Sequence, residues 1–80
     1  MHFIDILNDM NHVYEKRNAE YGNSFSKLYD ELGPVGAVSQ MYHKMSRILV
    51  DCKDGELKED SLLDLANYSA MTLLEIKNRK

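Results

Sequence analysis

Residues 61–76, SLLDLANYSAMTLLEI, determine how this chain folds. Apolar residues recur there every three or four positions, which predicts a helix with a wide apolar face. The same turns carry Asp64 and Asn67. A buried carboxylate costs several kcal/mol unless a partner compensates its charge, so Asp64 must face either solvent or a cation. Two adjacent stripes make up the apolar face: Leu62, Leu65, Ser69, Leu73 and Ile76, and beside them Leu63, Ala66, Ala70 and Leu74.

Two other segments have the same helical periodicity. The first spans residues 3–20 and ends in the turn sequence YGNS, and the second begins near Pro34, which favours a first helical turn. The second ends at Asp54-Gly55, and the third helix is expected from Asp60 or Ser61, as N-cap, to about Lys77. Residues 24–32 also have helical spacing, which favours a short additional helix. The predicted fold class is all-α: one domain, residues 1–80, with three main helices and this short one.

The width of the third helix's apolar face also predicts homo-oligomerisation. Two partner helices in a chain of 80 residues do not easily cover two apolar stripes. A second copy of the chain is the simplest cover, giving a bundle completed by homo-oligomerisation. The alternative is a monomer with a few exposed leucines, since isolated apolar side chains are common on protein surfaces.

Composition narrows the class of protein further. The net charge is -3, which argues against non-specific nucleic-acid binding because that requires a basic surface. The single cysteine, Cys52, is expected as a buried thiol on the second helix and suits a reducing compartment. No apolar run approaches the roughly 18 residues of a membrane span. We therefore expect a cytoplasmic protein with no membrane partner.

Polar stripes on two helices give the first candidate site. Asp64 and Asn67 lie on one stripe of the third helix, and Lys44 and Arg47 lie on a comparable stripe of the second. Lys44 or Arg47 could neutralise Asp64, while Asn67 orients a partner or a ligand. The alternative is an ion pair and an amide that only fix helix register.

The turn after the first helix gives the second candidate site. Tyr21 and Phe25 flank Gly22, Asn23 and Ser24, so aromatic rings adjoin hydrogen-bonding groups and a glycine that lets a ligand approach the backbone. Such rings stack on nucleic-acid bases. The simpler interpretation is a helix C-cap followed by a hydrophobic anchor. The three histidines have no metal-ligand spacing, and no nucleophile motif is present.

These segments resemble a known family. Residues 14–25 (YEKRNAEYGNSF), 44–47 (KMSR) and 60–68 (DSLLDLANY) are similar to the nucleotide-modification-associated domain 1 family of small phage proteins. The resemblance covers about residues 7–76, and YGNSF and DLANY are its most specific parts. It implies a nucleotide-related role in a virus, and therefore a place in the host cytoplasm.

A more distant resemblance is to MazG-type all-α nucleoside triphosphate pyrophosphatases, which hold Mg²⁺ with paired glutamates on one helix and acidic residues on another. Asp60 and Asp64 could serve the second part, and an enzyme of this type would be built on them together with Glu56 or Glu15. The paired-glutamate motif is missing, because Glu15 and Glu20 are five residues apart and lie on different faces. Magnesium-assisted hydrolysis needs several convergent carboxylates, so the residues favour binding over catalysis.

The sequence therefore favours a small nucleotide-binding protein that holds a nucleotide or cyclic nucleotide signal between helices or subunits, with no cofactor. In a phage, such a protein could sequester a signal of host defence. A metal-dependent pyrophosphohydrolase and a protein-interaction module without a ligand are the alternatives. The expected ligand-binding residues are Lys16, Lys44 and Arg47 for phosphate, Tyr21, Phe25 and Tyr68 for a base, and Asn23, Ser24, Asp64 and Asn67 for polar edges.

Overall fold

The computed structural model describes residues 1–80 and is all-helical, with three helices and no strand. Helix α1 spans Phe3–Tyr21, α2 spans Ser24–Lys53 and α3 spans Glu59–Asn78. They form a bundle-like arrangement in which α2 and α3 make most of the contacts between elements, and α1 packs more sparsely against α3. None of the three helices combines the length and apolar content that a membrane span requires.

Local signals explain where α1 begins and ends. The His2 backbone N–H donates to the Asp5 carboxylate (2.8 Å), which satisfies one of the free donors at the helix start. At the other end, Gly22 adopts φ 65° and donates its N–H to the carbonyl of Asn18 (2.8 Å). This conformation is open to glycine and unfavourable for other residues.

Helix α2 contains a sharp kink at Gly33, where φ is 65° and ψ is -154°. Pro34 disfavours a helical conformation at the residue before it, and glycine can then adopt a conformation that is closed to other residues. Residues 24–32 and 34–53 are therefore two straight helical segments joined at an angle. The short helix predicted at 24–32 is confirmed as the first of these segments.

Helix α3 begins at Glu59, slightly before the predicted start, and Lys58 occupies the N-cap position. Asp60 and Ser61 therefore lie inside the first turn. Glu59 and Asp60 are still favourable there, because negative charge is stabilised at a helix N-terminus. The predicted end near Lys77 is confirmed to within one residue.

Little of the chain is buried. Ala37 and Ile48 are the buried hydrophobic residues, and Gly36 and Asn67 are buried with them. The prediction of a buried Cys52 is wrong, because its side chain is exposed in the single chain. Many apolar residues at helical spacing on α2 are exposed as well, since α3 covers only one side of that helix; they include Val38, Tyr42, Met45 and Leu49.

Candidate functional site

A cavity of about 550 Å³ lies between the C-terminal half of α1, the start of α2 and the middle of α3. The turn at Gly22 and the first segment of α2 form one wall, and α3 forms the opposite one. The volume is within the usual range of small-molecule sites. The residues used below that line it are Tyr14, Arg17, Asn18, Glu20, Tyr21, Asn23, Ser24, Phe25, Ser26, Leu28, Asp64, Asn67, Tyr68 and Glu75.

The charge of Asp64 is compensated from two directions. Arg17 of α1 places Nη2 2.8 Å from Asp64 Oδ1, and Lys44 of α2 places Nζ 3.4 Å from Oδ2. The Asp64 and Lys44 side chains are only 17% and 19% exposed, whereas that of Arg17 is 50% exposed. Asp64 thus joins all three helices at the cavity wall, and paired charges allow α3 to carry a carboxylate there.

Asn67 is the most buried polar residue of the chain, at 8% exposure. It lies on α3 at the cavity wall. None of the side-chain hydrogen bonds within the chain involves its amide. No polar side-chain atom that is fully sealed from solvent lacks a partner, so the Asn67 amide is reached through the cavity. It therefore offers a donor and an acceptor to whatever occupies that space.

An aromatic pair lies beside these polar groups. The rings of Phe25 and Tyr68 have centroids 5.8 Å apart and are tilted by 51°. Lys44 Nζ lies 5.7 Å from the centroid of the Tyr68 ring, within the range of a cation–π contact. Phe25 lies in the first turn of α2, directly after the Gly22-Asn23 turn, and Tyr68 lies on α3, so the pair brings the two sequence-predicted sites together.

No family model matches the chain, and no curated protein or solved structure was found to be similar to it. The chemistry of the site therefore carries the functional interpretation.

The structure brings together most of the residues that the sequence singled out. Those that line the cavity are Tyr21, Asn23, Ser24, Phe25, Asp64, Asn67 and Tyr68. Lys44 reaches it through its contacts with Asp64 and Tyr68. The expected pairing of Lys44 with Asp64 is thus confirmed as a contact.

Arg47 and Lys16 lie elsewhere. Arg47 is exposed and borders a separate shallow depression with Asp51 and Lys58, so the suggestion that Arg47 neutralises Asp64 is wrong. Arg47 lies about one turn nearer the α2–α3 connection than Lys44, where it adjoins Ser61 and Lys58 and not Asp64. Lys16 is exposed and does not line the cavity.

The sequence interpretation missed Arg17, although a signal for it was present. Tyr14, Arg17, Asn18 and Tyr21 follow the i, i+3, i+4, i+7 pattern of one helix face, and all four line the cavity. Arg17 therefore shares a helix face with Tyr14 and Tyr21 and is the cation that α1 brings to the cavity. Lys16, one position earlier, lies off that face.

The acidic residues proposed for metal binding do not gather around Asp64. Asp60, Glu56 and Glu15 do not line the cavity, and Glu15 instead accepts a hydrogen bond from Asn11 (3.3 Å). No group of three or more histidine, cysteine, aspartate or glutamate side chains is arranged to hold a metal ion.

Proposed function

We propose that this chain is a nucleotide-binding protein whose ligand occupies the cavity around Asn67. The observation that carries the proposal is the Asn67 amide, which is buried, faces the cavity and has no side-chain hydrogen bond to the rest of the chain. The amide is not sealed from solvent, so in the free protein water can reach it through the cavity. A ligand with a matching donor and acceptor would replace those solvent contacts with hydrogen bonds inside the cavity.

Arg17 and Lys44 supply the phosphate contacts in this proposal. The phosphate contact is assigned to these two side chains individually and not to a net positive wall, because Glu20 and Glu75, the latter paired with Arg79, also line the cavity. Arg17 is half-exposed, so its guanidinium can turn from Asp64 to an incoming phosphate, with which it forms charge-assisted bidentate hydrogen bonds. This assignment replaces the sequence-based choice of Lys16 and Arg47.

The base is proposed to contact the aromatic side of the cavity. Phe25 and Tyr68 present ring surfaces there, and stacking of a base on one such ring contributes about 1–3 kcal/mol in single-strand-binding proteins. Asn67 and Asn23 are placed to hydrogen-bond its polar edge. A flat ring with polar edges, attached to an anion, matches the set of aromatic, amide and cationic groups at the cavity.

The proposal includes a homo-oligomer. The accessible surface is 6186 Å², whereas a monomer of 9.3 kDa has about 5,000 Å². The excess of roughly 1,200 Å² exceeds the ~800 Å² that each partner buries in a standard interface. Exposed large apolar side chains occur on every helix and include Phe3, Ile4, Val35, Val38, Tyr42, Leu49, Leu62, Leu73 and Leu74.

We propose, from the resemblance to small phage proteins, that the protein acts in a virus, where binding without turnover would sequester a nucleotide or cyclic nucleotide signal of host defence. To test this, the protein is incubated with AMP, ATP, 3′,5′-cyclic AMP and cyclic di-AMP, with and without Mg²⁺. The filtrate is chromatographed before and after denaturation. An intact nucleotide that is retained until the protein is denatured supports the proposal.

Two results of this experiment oppose it. Hydrolysis products that form only with Mg²⁺ would establish the pyrophosphohydrolase alternative, and failure to retain any of the probes would favour the interaction module. Arg17→Gln and Arg47→Gln form a matched pair, because both remove one exposed cation. Only Arg17→Gln should release the nucleotide.

A further inference from the structure

Residues 24–32 form a helical segment with a glycine joint at each end. Gly22 has φ 65° and ψ -140°, and Gly33 has φ 65° and ψ -154°. Both angles fall in or near a region that is essentially restricted to glycine. A Cβ at either position would meet no atom within 4 Å, and the side chains that pack across the Gly33 kink are those of Leu28 and Leu32 against Gly36. We refer to residues 24–32 as the hinged segment.

The hinged segment is one wall of the cavity. Phe25, Ser26 and Leu28 lie on it and face the cavity. A rotation of the segment about its glycine joints would therefore change the width of the cavity and separate Phe25 from Tyr68. The joints allow such a rotation because glycine has the widest range of backbone angles.

One side chain ties the free face of this segment to the end of α3. Arg79 Nη2 lies 2.7 Å from Asp30 Oδ1, and Arg79 Nε lies 2.9 Å from Glu75 Oε2. The guanidinium is 4.8 Å from the centroid of the Tyr29 ring, and Nη2 is 3.5 Å from the carbonyl oxygen of Ser26. Ser26 also donates its hydroxyl to Glu75. The hydrogen bond to Asp30, and then that to Glu75, raises the pKa of Arg79 above its usual value.

We propose that Arg79 is a positioning residue that latches the hinged segment over the cavity and thereby controls how often the cavity opens. The Asp30 side chain is 61% exposed and that of Arg79 is 40% exposed. Exposed pairs of this kind are weak and are screened by salt. The latch therefore favours the closed position of the segment but is weak enough for the segment to open often, as ligand entry requires.

Hydrogen exchange of the ligand-free protein tests the latch, because a helical segment this short is not stable once it detaches from α3, and its amides then exchange with solvent. In Arg79→Gln, exchange of the amides of residues 27–32 should rise by about 3- to 10-fold, the effect expected when weak exposed pairs are lost. Asp30→Asn breaks the same contact from the other side and should produce the same local increase. Exchange within α1 should not change in either variant.

The matched control is Lys77→Gln, which removes one positive charge from the same end of α3 but forms no ion pair in the structure. Its residues 27–32 should exchange at the wild-type rate. The proposal is overturned if Arg79→Gln leaves the exchange of residues 27–32 unchanged. It is equally overturned if the control raises that exchange as much, or if all of α3 loses protection together with the segment.

The consequence for ligand entry rests on the proposed function. For any nucleotide that the protein binds, Arg79→Gln should raise the association and the dissociation rate constants of that nucleotide by similar factors. The exchange experiment needs no ligand, so it can fail while nucleotide binding succeeds, and the reverse also holds.

Discussion

Asp64→Asn tests how the cavity wall is held together. The substitution keeps the size of the side chain and removes the charge that Arg17 and Lys44 contact at 2.8 and 3.4 Å. The contact with Arg17 contributes at most about 1 kcal/mol, because that side chain is half-exposed. Lys44 is mostly covered, and in the variant it would keep only its contact with the Tyr68 ring. Removing the Lys44–Asp64 contact should therefore cost somewhat more free energy than removing the Arg17–Asp64 contact.

We therefore expect Asp64→Asn to lower the free energy of unfolding by about 1–2 kcal/mol. For a domain of this size, each kcal/mol shifts the unfolding midpoint by roughly 4–8 °C, so the midpoint should fall by about 5–15 °C. Thermal unfolding followed by circular dichroism at one fixed protein concentration measures this, because oligomerisation makes the midpoint depend on concentration.

Arg47→Gln is the control for that measurement, since the sequence pattern placed Arg47 opposite Asp64 and the structure does not. Removing this exposed cation should change stability by less than about 0.5 kcal/mol. The reasoning is refuted if Arg47→Gln lowers the midpoint as much as Asp64→Asn does. It is also refuted if the midpoint of Asp64→Asn equals that of the wild type.

Three other outcomes follow from the same structure. Light scattering coupled to gel filtration at micromolar concentration should give at least twice the chain mass of 9.3 kDa, and a clean 9.3 kDa monomer would contradict the proposed oligomer. Asn67→Leu should leave the free energy of unfolding equal or higher, because it removes a buried amide without a protein partner; a fall of more than about 2 kcal/mol in chemical denaturation would show that the amide is structurally required. Gly33→Ala should cost about 1–3 kcal/mol through the backbone alone, since its Cβ meets no atom within 4 Å, and an unchanged unfolding midpoint would contradict the role of glycine at the kink.

The course of the chain was predictable because it depends on local signals. Gly22 ends α1, Pro34 begins the second segment of α2, and Asp54-Gly55 closes it. Each of these signals acts on the backbone angles of the residues next to it in the chain, so it can be read from the sequence without knowledge of the tertiary structure. The start of α3 was less well defined, because several residues near Lys58 suit a helix N-terminus and its N-cap makes no side-chain hydrogen bond.

The site was predictable only in part. The sequence singled out the turn residues and the α3 residues as two candidate sites, and both sets line the same cavity in the structure. Which cation faces Asp64 depends on the rotation of α1 and α2 about their axes. That rotation is set by packing across the bundle, so Arg17 was missed and Arg47 was misplaced. The second copy that we propose for the exposed apolar faces lies outside a single chain, so neither the sequence pattern nor the fold of one chain specifies its contacts.

The most direct test of the central claim is calorimetric titration of nucleotides and cyclic nucleotides into the protein in excess chelator. Wild-type protein should bind one of them without any divalent ion, and Asn67→Leu should lose that binding while its helical circular dichroism spectrum and oligomer mass stay unchanged. The claim is contradicted if heat appears only when Mg²⁺ is restored and pyrophosphate is released, or if Asn67→Leu binds the nucleotide as well as the wild type does.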